Sequence, residues 1–110
     1  NIFLYHEDDD LSLRLTDKGP LMFSYKSLIS HSVASSSGHS ENIIAFKAWH
    51  LGYSRVYTMK KHRRFLPIAF LYMLAFGKIL LPDVIFLRTK RKKRWAYLLG
   101  ISSGVLRVLR

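Results

Sequence analysis

The chain has 110 residues, of which 49% are hydrophobic, so it is long enough for one modest domain. Its 18 Lys and Arg outnumber its 7 Asp and Glu, and the net charge of +11 favours an anionic partner, either a membrane or a nucleic acid. The absence of cysteine excludes disulfide scaffolds, thiolate zinc sites and cysteine nucleophiles.

The first predicted element is a short helix over residues 8–17 that begins with an acidic run. Glu7, Asp8, Asp9 and Asp10 supply four of the seven acidic residues. Asp10 and Arg14 are four residues apart, as are Leu11 and Leu15, which is helical spacing and places the carboxylates in the first turn. We expect the helix to end near Gly19 and Pro20. The run is either a solvated helix cap or a site that uses its charge.

An EF-hand calcium loop does not fit the acidic run. If Asp8 opened such a loop, the sixth position would be Leu13, where the loop needs glycine. The twelfth position would be Gly19, where the loop needs a bidentate glutamate.

The residues after the acidic helix predict two short strands, 21–25 and 27–31, which are rich in aromatic and apolar side chains. His31 ends the second strand, where the residues alone indicate a surface histidine. Residues 35–40 are Ser- and Gly-rich and predict a loop. One helix is then predicted from residue 43 to about residue 64, with a bend near Gly52.

The motifs of the first 62 residues resemble a known enzyme family. IFLYHEDDDLSLRLTDKG, the segment ending in His31, the Ser-rich run and GYSRVYTMKKH follow one another in this order. Together they resemble the C-terminal part of the catalytic domain of family 2 glycosyltransferases, especially the bacterial rhamnosyltransferase-like members. The resemblance implies an α/β fold of the GT-A type, represented in these 110 residues mainly by helices and two short strands. Because Asn1 lies within a motif, we expect the chain to be a fragment that lacks the upstream half of the domain.

The resemblance also implies roles for individual residues. Asp8 would be the general base of an inverting sugar transfer, and Glu7 would shape the acceptor site. We assign Asp10 and Arg14 to structure, as an intrahelical pair that orients the base, and give Asp9 no role. The implied partners are a nucleotide-sugar donor and a saccharide or lipid-linked acceptor used in cell-surface polysaccharide synthesis.

Three further residues are assigned on the same basis. His31 matches a metal-coordinating histidine of some members, and the implied cofactor is Mn or Mg, whose main ligands would lie upstream. Arg55 and Lys60 are candidates for contact with phosphates of the donor or of a lipid acceptor. The alternative for Arg55 and Lys60 is a solvated basic helix face.

Residues 65–110 predict a second, membrane-associating region after the catalytic portion, residues 1–64. Residues 65–87 contain only Lys78 and Asp83 as charged residues, and as a helix they would span roughly 35 Å. Basic clusters flank both ends, so a helix that crossed the membrane would place one cluster on the side that the positive-inside rule disfavours. Pro82 also interrupts the run. We therefore expect helices in the interface, or a re-entrant hairpin, on the cytoplasmic face of an anionic membrane. The alternative is an apolar core packed against the rest of the domain.

The basic run RTKRKKR, residues 88–94, is also typical of nucleic-acid-binding segments. The neighbouring aromatic residues are embedded in aliphatic sequence and indicate neither a stacking platform nor a recognition helix. We therefore rank nucleic acid below membrane as the partner. The alternative to an enzyme is a non-enzymatic basic protein that binds a membrane surface or nucleic acid.

Overall fold

Five helices make up the regular secondary structure of the described residues. A computed structural model describes residues 4–30, 40–63 and 68–109. The helices are α1 (Glu7–Thr16), α2 (Glu41–Lys61), α3 (Ile68–Ile79), α4 (Pro82–Phe86) and α5 (Arg88–Leu109). These ranges contain no strand, so the described part of the protein is all-helical.

The predicted α/β fold of the GT-A type is wrong for this structure, and so are the two predicted strands. Residues 20–30 form neither helix nor strand and contain one turn, at Tyr25 and Lys26. Their apolar side chains are exposed, Phe23 to 92% and Leu28 to 99%. A strand needs a neighbouring strand for its backbone hydrogen bonds, and the described part of the chain offers none. His31 lies outside the described residues.

The two predicted helices of the first 64 residues are confirmed, with small shifts of their ends. α1 starts one residue earlier than predicted and ends at Thr16, where the amides of Lys18 and Gly19 donate to the carbonyl of Leu15. α2 starts after Ser40, whose hydroxyl accepts from the amide of Ile43 at 3.3 Å and caps the helix. α2 continues without interruption through Gly52 to Lys61.

α2 and α5 form the central pair of the fold, and glycine allows their backbones to touch. A Cβ atom on Gly100 would overlap the carbonyl oxygen of Trp49, and one on Gly52 would overlap the carbonyl oxygen of Tyr97. A Cβ on Gly104 would lie 2.9 Å from Cβ of Val56. The three positions therefore need a residue without a side chain because the two helices cross at van der Waals distance.

α3 and α4 pack on α5 and complete the core. Five buried residues form this core: Val56, Leu71, Ala75, Leu98 and Ile101. The hydroxyl of Tyr72 on α3 donates to that of Ser102 on α5 at 2.9 Å. The predicted interruption at Pro82 is confirmed, because α3 ends at Ile79 and Pro82 opens α4. None of the helices in the described ranges combines the length and the apolar character that crossing a membrane requires.

Replacing Gly100 with alanine should separate the two central helices and lower the free energy of unfolding by about 3 kcal/mol or more. Gly77→Ala is the matched control, because Gly77 lies inside α3 and an added methyl group would have no atom within 4 Å. The control should raise the free energy of unfolding by up to about 1 kcal/mol through its better helix propensity. Urea unfolding followed by circular dichroism measures the free energy of unfolding of both variants. Equal changes in the two variants would contradict the close contact between α2 and α5.

Candidate functional site

The acidic run lies at the N-terminal turn of α1, after a backbone turn of unusual conformation. Tyr5 and His6 have φ values of 64° and 62°, in the left-handed region that non-glycine residues rarely adopt. Nδ1 of His6 lies 2.7 Å from a carboxylate oxygen of Asp9. The exposed N–H groups of the first helical turn face the same end as the carboxylates, which the helix dipole favours.

The four carboxylates have different environments, and Asp10 is the buried one. Asp10 is 7% exposed, whereas Glu7, Asp8 and Asp9 are exposed. A buried carboxylate requires partners that offset its lost hydration. Asp10 has three basic partners, one on its own helix α1 and two at the C-terminal end of α2.

Two of the partners of Asp10 come from the C-terminal end of α2. Nζ of Lys61 and Nε2 of His62 each lie 2.7 Å from Oδ1 of Asp10. The third partner is on α1 itself, where Nε of Arg14 lies 3.3 Å from Oδ2. The hydrogen bonds from Lys61 and then from His62 lower the pKa of Asp10, and the charges of Lys61 and Arg14 add to the effect.

A second polar contact joins the entry of α1 to the middle of α2. The hydroxyl of Ser54 donates to the carbonyl of Leu4 at 2.8 Å, and Ser54 is fully buried. Together with the Asp10 contacts, this bond holds both ends of the acidic turn against α2. The apolar residues Leu11 and Leu15 of α1 remain about half exposed, so polar contacts rather than apolar burial position this helix.

Glu7 and Asp8 are the carboxylates that remain open to solvent without a cationic partner. Neither forms an ion pair with any residue in the described ranges, and Oδ1 of Asp8 accepts only from the neighbouring amide of Asp9, at 3.1 Å. An open cleft of about 360 Å³ lies beside this turn, between α1 and α2. It is lined by Asp9, Ser12, Leu13, Thr58, Met59 and His62.

Among the predicted site residues, Asp10 and Arg14 contact each other in the structure. Arg55 and Lys60, the two predicted phosphate contacts on α2, bind to α5 instead. Arg55 donates to the hydroxyl of Tyr97 at 3.3 Å, and Lys60 donates to the carbonyl of Val108, so both side chains contact α5. Neither forms a hydrogen bond or an ion pair with Glu7 or Asp8 among the described residues. Their predicted role toward phosphates stays a prediction.

Sequence reasoning missed Lys61, His62 and Ser54. These residues lie 50 to 52 positions from their partners on the first segment, and no local pattern links them. His62 follows Lys60 and Lys61 in a basic stretch, which indicates a solvated helix end rather than a partner for a buried carboxylate.

A metal centre is not formed by the residues that the structure describes. Within them, no three histidine or carboxylate side chains gather as a group that could hold a metal ion. Asp10 is already matched by cations, and His31 is outside the described ranges. The Mn or Mg implied by the resemblance therefore has no assigned ligand in this part of the protein.

Comparisons of the chain with protein-family models, with curated proteins and with solved structures found no match. The membership in the family 2 glycosyltransferases remains a proposal that rests on the sequence resemblance.

Asp10→Asn should lower the free energy of unfolding by about 1–3 kcal/mol at neutral pH, because Lys61 and His62 lose their charged partner. The pKa of Asp10 is lowered in the folded protein from its ordinary value of 3.8, so its contribution is complete above that value. The contribution is lost as the pH falls through the lowered pKa, and the difference between the variant and the natural protein should shrink there. Urea unfolding in a series of acidic buffers measures this difference.

Asp9→Asn is the matched control for this change, because the Asp9 side chain is 63% exposed and its ion pair among the described residues is with His6 on the same turn. It should alter the free energy of unfolding by no more than about 0.5 kcal/mol. If Asp9→Asn lowered the free energy of unfolding as much as Asp10→Asn, the structural role of Asp10 would be contradicted.

Proposed function

We propose that this chain provides the acceptor side of an inverting glycosyltransferase, with Asp8 as the general base. One observation carries the proposal: of four adjacent carboxylates, Asp10 is buried among three partners while Glu7 and Asp8 are exposed on the same turn. A general base must reach the proton of its substrate at hydrogen-bond distance, so it has to be accessible and held in place. The identity of the reaction comes from the sequence resemblance.

The proposed chemistry is a single displacement at the anomeric carbon of a nucleotide-activated sugar. The acceptor hydroxyl oxygen forms a bond to that carbon while the bond to the nucleoside diphosphate breaks, with inversion. A carboxylate oxygen of Asp8 takes the hydroxyl proton, and the electron pair of the broken bond leaves with the diphosphate. The acceptor is a saccharide or a lipid-linked saccharide, and the setting is cell-surface polysaccharide synthesis at the cytoplasmic face of a membrane.

In this proposal the remaining residues of the run position the base. Asp10 fixes α1 on the end of α2 through Lys61 and His62, and the Ser54–Leu4 hydrogen bond fixes the entry of the helix. Glu7 lies beside Asp8 and would contact the acceptor. Asp10 is thus a positioning residue and Asp8 a catalytic one.

The divalent metal implied by the resemblance would neutralise the diphosphate when bound. No step of the proposed chemistry is derived through it, because the described residues do not gather a ligand set. His31 remains the predicted ligand from this chain. Arg55 and Lys60 remain predicted phosphate contacts.

A non-enzymatic membrane-surface protein is the second candidate function. It is favoured by six Lys and Arg among residues 88–94, which adjoin exposed apolar residues such as Phe86 and Leu87. In this case the acidic turn would only cap α1, and exchange of Asp8 would change no reaction. The effect of Asp8→Asn therefore separates the two candidates.

Asp8→Asn should reduce turnover by about 10²–10⁴-fold, because an amide cannot accept the acceptor proton. The assay uses the complete gene product that contains these residues and measures transfer from a panel of nucleotide-sugar donors to lipid-linked and free saccharides by mass spectrometry. Donor KM should remain nearly unchanged, because Asp8 acts on the acceptor.

Asp9→Asn again serves as the matched control, with the same chemical change one residue away. It should keep turnover within about twofold, an effect below about 0.5 kcal/mol. Near-normal turnover of Asp8→Asn in an active natural protein would overturn the base assignment. Absence of transfer by the natural protein with every donor would favour the non-enzymatic candidate.

A further inference from the structure

The hairpin of α3 and α5 has one end at which apolar and basic residues meet. Tyr72 near the start of α3 contacts Ser102 in the second half of α5, so the two helices run antiparallel. The end of α3, the short α4 and the first turns of α5 therefore lie together at the opposite end. Nζ of Lys90 lies 2.7 Å from a carboxylate oxygen of Asp83 and joins α5 to α4 there. We call residues 80–94 the basic tip.

Four apolar side chains of the basic tip are exposed, whereas Val84 is buried. Phe86 is 84% exposed and Leu80 is 77% exposed, and Leu81 and Leu87 are also exposed. Clustered apolar side chains of this size on a protein surface indicate an interaction site. The exposed surface continues along α3 through Met73 and Phe76, opposite the buried Leu71 and Ala75.

The charges of the basic tip are far from balanced within its own sequence. Six of residues 88–94 are Lys or Arg, whereas Asp83 is the one acidic residue among residues 80–94. Asp83 pairs with Lys90, and Glu41 at the start of α2 pairs with Lys92 and, at 3.9 Å, with Arg88. The cations also occupy the first turns of α5, where the positive end of the helix dipole opposes them. An external anionic surface would reduce both sources of repulsion.

We propose that the basic tip docks on the surface of an anionic phospholipid bilayer. Leu80 and Phe86 enter the boundary between headgroups and acyl chains, and the Lys and Arg of the first turns of α5 contact headgroup phosphates. Trp95 follows the basic run and is about half exposed, a position typical of interfacial tryptophan. The docking mode does not depend on the proposed catalytic role of Asp8.

The charge and the apolar residues of the basic tip favour a membrane over a second copy of the chain or a nucleic acid as its partner. A second copy would bring six more cations against the same tip and would be repelled. A nucleic acid would satisfy the charge but would leave Leu80 and Phe86 without an apolar environment, since it offers few apolar groups to them. A bilayer with anionic lipids supplies both the charge and the apolar environment.

The test is cosedimentation of the full chain with vesicles of phosphatidylcholine, with and without phosphatidylserine. The chain should bind the mixed vesicles, fail to bind pure phosphatidylcholine, and dissociate as the salt concentration rises. Phe86→Ser should weaken binding to the mixed vesicles by about tenfold or more. Lys93→Gln should weaken it by about fivefold, the effect of one cation near an anionic surface.

Phe23→Ser is the matched control, because Phe23 is as exposed as Phe86 but lies outside the basic tip. It should leave vesicle binding unchanged, and circular dichroism checks that each variant keeps its helices. In a Trp49→Phe background the emission of Trp95 should shift to shorter wavelength when mixed vesicles are added.

Three results would overturn the proposal. One is equal loss of binding in Phe23→Ser and Phe86→Ser. Another is tighter binding to a single-stranded RNA oligonucleotide than to mixed vesicles, unaffected by Phe86→Ser. The third is self-association in sedimentation equilibrium that Phe86→Ser abolishes, without vesicle binding.

Discussion

The contact between the backbones of α2 and α5 is the constraint on which the described structure depends. Gly52 and Gly100 let each helix approach the carbonyl groups of the other, and the resulting pair carries the remaining elements. α1 is attached to α2 by hydrogen bonds and ion pairs, whereas α3 and α4 pack on α5 through the core and through Asp83. A change in the spacing of the central pair would therefore affect the acidic turn and the basic tip together.

The attachment of α1 differs in kind from the attachment of α3. α3 buries Leu71 and Ala75, so its position follows from the hydrophobic effect, which does not depend on pH. α1 buries one carboxylate and relies on cations from another helix to offset its desolvation. Such a contact is directional, because a carboxylate paired in this way fixes the rotation of α1 about its axis. The remaining carboxylates of the same turn are then directed outward by helical geometry, which is the arrangement a surface-accessible base requires.

Local signals in the sequence were sufficient for several elements and insufficient for the contacts between them. The spacing of Asp10 and Arg14 and the position of Pro82 each act within a few residues, and the acidic helix and the interruption they predict are present. The composition of residues 21–25 and 27–31 predicts strands, but pairing depends on a neighbouring strand that the described residues lack. Lys61 and His62 could not be linked to Asp10 because their proximity results from the folding of α1 onto α2.

In the acidic turn, Asp10 is sequestered, Asp9 pairs with His6, and Glu7 and Asp8 are exposed without an ion-pair partner among the described residues. Labelling of the native chain with a water-soluble carbodiimide and an amine nucleophile measures the accessibility of each carboxylate, because the tryptic peptide that ends at Arg14 contains all four. Fragment-ion mass spectrometry then gives the extent of labelling at each position. The structure predicts rapid labelling of Glu7 and Asp8 and protection of Asp10 until the chain is unfolded. Labelling of Asp10 in the native chain as fast as that of Asp8 would contradict the burial of Asp10 between α1 and α2.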